Sequence, residues 1–188
     1  MTETGKAGAR SWDLARPVVT LGALAAAVLL MAAGPLRGED SPGTSGRQAD
    51  QASLKLFGSL VGTWRGVGQV ERGRTRGAWI ESAAWAWKLT RDSAALAVRV
   101  KNGKHLAAGV LRPGDAAGEF VLDATLPDGS TRTFVGKAAT ASGVGTPANV
   151  SPRLVLTAVG KVSDDAVARV TITPLHDTRL LFLFEASD

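Results

Sequence analysis

The stretch Glu119-Phe120-Val121-Leu122-Asp123-Ala124-Thr125-Leu126 sets Phe120, Leu122, Ala124 and Leu126 on one parity and Glu119, Val121, Asp123 and Thr125 on the other. Successive side chains of an extended chain point to opposite faces, so this segment reads as a strand with one face in a core and the other toward solvent. The same period of two extends outward in both directions. Leu96, Val98 and Val100 alternate with Ala97, Arg99 and Lys101; Ala168, Val170 and Ile172 with Arg169, Thr171 and Thr173; Leu180, Phe182 and Phe184 with Arg179, Leu181 and Leu183. Turn formers separate the runs: Asn102-Gly103 reads as a tight two-residue hairpin, and Pro113-Gly114-Asp115 and Pro127-Asp128-Gly129 as slightly longer ones. The expected strands lie near 62–71, 76–90, 94–101, 104–112, 117–126, 130–138, 153–160, 166–174 and 178–186. A meander of about nine strands with one apolar face is expected to curl into an all-β antiparallel up-and-down barrel, because closure removes edges that would recruit other chains.

Composition divides the chain near residue 50. Residues 1–50 hold five basic and five acidic side chains, so the net charge of +5 resides in residues 51–188. That excess is spread over strands and turns, which argues against a nucleic-acid partner. The absence of cysteine excludes disulfides, thiolate metal sites and a cysteine nucleophile. A domain over 52–188 must therefore hold together by packing alone, for which its length suffices.

Lys6, Arg10 and Arg16 precede an uncharged run from Pro17 to Leu36, long enough to span a bilayer. Residues 1–36 read as a signal peptide or signal anchor, with the basic side inward and the domain extracytoplasmic, either secreted or tethered to the membrane. Residues 37–51 read as a flexible linker. Leu54, Phe57 and Leu60 then mark one or two helical turns before the first strand. The small-residue stretch 139–152 reads as a long loop.

The first strand opens Leu60-Val61-Gly62-Thr63-Trp64-Arg65-Gly66-Val67-Gly68. Alternate glycines let a strand coil and neighbouring backbones approach, while Trp64 is placed to plug one end of a barrel. This opening resembles the Gly-x-Trp start of lipocalin-like (calycin) barrels, and more closely the Leu-x-Gly-Thr-Trp-x-Gly-x-Gly start of nitrobindin-like proteins. Over 52–186 the pattern is also similar to exported bacterial lipocalin-like proteins of undefined function. Those proteins often continue for one or two segments beyond the point matching Glu185, so the resemblance leaves three alternatives: a barrel closed differently, pairing with another subunit as a homodimer, or an open seam.

Trp79, Glu81, Trp85 and Trp87 share one parity of the second strand. Such a face either fills the barrel or lines a cavity for a small apolar or amphipathic ligand, with Glu81 as polar contact. A buried carboxylate needs a partner; Arg179, near the start of the last strand, is one candidate, the lipocalin resemblance implies stacking on Trp64 instead, and a solvated Arg179 is the third alternative. Of the two histidines, His105 is expected on the surface after its hairpin. The nitrobindin resemblance makes His176 the axial ligand if haem is bound. No enzyme is expected: adjacent His176 and Asp177 point apart in extended chain, and neither metal-ligand spacing nor a phosphate-cradling glycine turn occurs. The expectation is thus a ligand-binding barrel, with a haem barrel or a structural or protein-binding module of the cell envelope as alternatives.

Overall fold

The computed structural model describes residues 10–15, 42–71, 73–139, 152–163, 166–176 and 178–187, with the backbone alone at 10–15, 42–45 and 176. The chain forms β1 (Arg10–Ala15), α1 (Pro42–Leu54), a 3₁₀ helix (Lys55–Leu60), β2 (Gly62–Gln69), β3 (Trp79–Leu89), β4 (Ala94–Lys101), β5 (Ala108–Pro113), β6 (Glu119–Thr125), β7 (Thr131–Ala139), β8 (Arg153–Ala158), β9 (Val167–His176) and β10 (Arg179–Ala186). From β2 to β10 every strand pairs antiparallel with its sequence neighbours, so nine strands form one curled up-and-down sheet, as the alternation predicts. Its two ends do not pair with each other. The backbone of β1 lies between them, with Trp12 in register with Gly68 on one side and Phe182 on the other, and so completes a ring of ten strands. Unpaired N–H and C=O groups along β2 and β10 supply the drive for that insertion.

The predicted inward parity forms most of the core, but Val121 and Thr171 on the outer parity are buried too. Leu96, Leu111, Leu122, Leu154, Leu156, Ile172, Leu180 and Phe182 are fully buried, whereas Ile80 and Val67 on the outer parity are 56% and 46% exposed. One end of the barrel is plugged from the helical side. Phe57 meets Phe120 edge-on at 5.0 Å. Trp64, expected as the plug, is buried among Leu54, Phe57 and Leu60, and its Nε1 donates to the Leu60 carbonyl at 2.7 Å. Asp50 ties the helix to the sheet by accepting the Ala94 N–H at 3.0 Å. Part of the segment read as linker is thus helical from Pro42.

The links after β2, β4, β6 and β8 gather at the opposite end. That after β4 differs from the expected two-residue turn. It runs from 102 to 107 and is closed by the Val100 N–H on the Ala107 carbonyl at 2.8 Å, so β5 begins at Ala108. Burial of Leu106 draws the loop inward, and Asn102 takes a positive φ of 60° to permit it. Pro127-Asp128-Gly129 turns as expected: Gly129 has φ 84°, and Asp128 Oδ1 accepts from the Ser130 N–H and Oγ–H. The Pro17–Leu36 run and the loop at 140–151 lie outside the described residues. Among the described residues, no helix is long and apolar enough to cross a membrane.

Candidate functional site

The open end of the barrel carries an aromatic and ionisable cluster centred on the start of β3. Gly68 of β2 lies opposite Trp79, and any Cβ there would overlap the Trp79 indole; the glycine makes the space in which that ring lies flat against β2. The indole Nε1 donates to Glu81 Oε2 at 2.8 Å. Glu81 is 2% exposed, and its other oxygen, Oε1, has no hydrogen-bond partner among the described residues. Burial pushes the Glu81 carboxyl from 4.5 up to about 7, opposed only by the Trp79 hydrogen bond. The group is therefore poised near neutrality, able to donate from a protonated oxygen or accept as a carboxylate.

The loop after β4 completes the cluster. Lys104 Nζ stands 4.6 Å from the centre of the Trp79 ring, and His105 meets Trp79 edge-on at 5.7 Å and Phe184 at 5.4 Å. The aromatic contacts continue inward from Phe184 to Phe182 at 6.2 Å and from Phe182 to Trp85 at 5.9 Å. Next to this row, a recess of about 410 Å³ opens at the mouth between Lys104, His105, Asp128, Arg132 and Val167. Arg132 is fixed there by donation from Nη1 to the Val167 carbonyl at 2.8 Å.

Of the residues singled out in sequence, Trp79, Glu81, Trp85 and Trp87 do share the inward face of β3. Trp79 and Trp87 are half-buried at its two ends, while Trp85 is 3% exposed and its Nε1 has no partner among the described residues. Trp64 lies at the plugged end. Arg179 is exposed at the start of β10, and the only described partner of the Glu81 carboxyl is Trp79, so Glu81 and Arg179 are not brought together. The His176 side chain lies outside the described residues; its backbone ends β9 opposite Arg179, at the helical end of the barrel. No group of histidine and acidic residues capable of holding a metal occurs among the described residues.

Lys104 and His105 escaped the sequence reading. His105 was expected on the surface, but the six-residue loop folds it against two aromatic rings. The available signal was Leu106, an apolar residue next to a turn, whose burial obliges its neighbours to face the mouth. No family model matches the chain, and no curated protein or solved structure matches it either.

Proposed function

We propose that this chain is an exported lipocalin-like binding protein whose barrel takes a small amphipathic ligand along the inward face of β3, and that it is not an enzyme. One observation carries this reading. Glu81 Oε1 and Trp85 Nε1 are buried without partners among the described residues, on the same face and separated there only by the small side chain of Ala83. A buried polar atom left unpaired costs about 1–3 kcal/mol, and a site that keeps two of them in one row is matched to a guest that satisfies both. Along a strand the two residues lie about 13 Å apart, which suits a ligand with a planar or apolar body and a polar group near its outer end. Trp79, Phe184, Phe182 and Trp85 supply the apolar walls, and the mouth supplies the way in.

Export through residues 1–36 bears on closure of the barrel. Cleavage would remove Arg10–Ala15, and an N-inside anchor would hold it across the membrane from the domain. In either case the edges of β2 and β10 meet directly or take another strand.

The reading is tested by native mass spectrometry of the purified chain and by titration with N-phenyl-1-naphthylamine, a neutral planar fluorophore. Saturable binding is expected, reduced at least tenfold in Ala83→Trp, which fills the interval between Glu81 and Trp85, and altered in Glu81→Gln, which keeps the shape. A wild-type chain with neither co-purified ligand nor saturable probe binding would remove this reading.

A further inference from the structure

The outer wall formed by β2, β3 and β4 carries a second feature, independent of the barrel interior. Register sets six outward positions in two rows, Thr63–Ala84–Arg99 and Arg65–Ser82–Lys101. With strands about 4.8 Å apart, Arg65 and Lys101 lie about 10 Å from each other across Ser82. Arg65, Arg99 and Lys101 are exposed and make no ion pair among the described residues, unlike Arg112, which is bonded to Asp123 at 3.1 Å. The small side chains between them leave a shallow hollow of about 430 Å³ lined by Thr63, Ser82, Ala84, Arg99 and Lys101. The next row toward the mouth is Val67–Ile80, both well exposed; β1 places Asp13 beside Val67, while Ala15 is beside Arg65.

We propose that this wall is a docking surface for an anionic lipid bilayer, with a phosphodiester headgroup seated between Arg99, Lys101 and the Ser82 and Thr63 hydroxyls. Two cations and two hydroxyls line the hollow and complement phosphate oxygens, Arg65 adds a third cation beside it in the row of Ser82, and the adjoining Val67–Ile80 pair reaches toward the interfacial region of the leaflet. A lone phosphate ion is served less well. The backbone N–H groups of β2–β4 are committed to the ladder, so the hollow offers no converging nest and only side chains from one side. A leaflet, which presents many headgroups in a plane, engages all three cations at once. Ser82, Ala84, Ala86, Ala95 and Ala97 keep the centre of the wall low between the basic side chains.

Flotation of the full chain is the test, with vesicles of phosphatidylcholine alone and of phosphatidylcholine mixed with phosphatidylglycerol. Phosphatidylglycerol is expected to raise partitioning beyond any contribution of the apolar N-terminal run, which both vesicles share. Each basic residue at an anionic surface contributes about fivefold, so R99Q/K101Q should lower the phosphatidylglycerol-dependent gain about 30-fold and leave partitioning into phosphatidylcholine unchanged. R153Q/K161Q, the same charge change on and after β8 across the barrel, should retain the gain. An equal loss in both variants, or no loss in R99Q/K101Q, overturns the assignment. So does displacement from vesicles by inorganic phosphate at an ionic strength where chloride has no effect, which would make this a site for the free ion. Capture of an oligonucleotide without any phosphatidylglycerol gain would likewise overturn it.

Discussion

Glu81 makes the stability of this barrel depend on pH in a direction opposite to that of a salt-bridged carboxylate. Burial raises the carboxyl from 4.5 to about 7 in the folded chain, so between those values the folded state binds a proton that the unfolded state has released. Stability then falls as pH rises through that window. The contribution is fully present below pH 4.5, and it is lost by the time the pH has passed 7. A displacement of this size corresponds to about 3 kcal/mol, or roughly 6–12 °C in midpoint for a chain of this length. Urea denaturation at intervals from about pH 4.5 to 8.5 measures it, and comparison with Glu81→Gln isolates it from other ionisations. Asp128, the other carboxyl with a perturbed value among the described residues, is held below 3.8 by its hydrogen bonds to Ser130 and titrates beneath the window. The Glu81→Gln variant should lose the slope. It should also be the more stable protein above pH 7, by about 1–2 kcal/mol once an unmatched amide N–H is allowed for. Parallel profiles for the two proteins across the window would refute the reasoning, because they would mean that Glu81 is hydrated or paired at neutral pH.

Three further substitutions probe the packing on which the site depends. Gly68→Ala should expel the Trp79 indole and break its bond to Glu81, red-shifting tryptophan emission and weakening the fluorophore site, since the new methyl and the ring claim one space. Trp64→Phe should cost about 1–3 kcal/mol in urea melts, leaving the Leu60 carbonyl unpaired in the core; a change below a few tenths would show that water replaces the bond. Phe57→Ala empties the plugged end against Phe120 and should cost about 3–5 kcal/mol, without changing the emission of Trp79 at the far mouth.

Much of the barrel is legible because it rests on a local rule. Alternation in Glu119–Leu126, Leu96–Lys101 and Leu180–Phe184 fixes which side chains face inward whichever strands they later pair with, and the observed core follows that parity except at Val121, which is buried although it lies on the outer parity. The placement of Trp79, Glu81, Trp85 and Trp87 on one face is of the same kind. Asn102-Gly103 shows where local signals stop: a turn-forming pair proposes a two-residue hairpin, but burying Leu106 outweighs it and lengthens the loop to six residues.

What the sequence by itself determined is therefore the class of fold, the strand count in the meander and most of the inward face of the strands that alternate clearly, all set by side-chain periodicity within single segments. Tertiary structure alone decided that Lys104 and His105 join Trp79 and Glu81 at the mouth, because that meeting depends on a loop folded over another strand. It also decided the setting of Glu81, whose ionisation answers to the surroundings that exclude water from it. The strand Arg10–Ala15 belongs with these: six residues carry too little pattern to announce a strand, and their place follows from two distant edges whose backbone groups need partners.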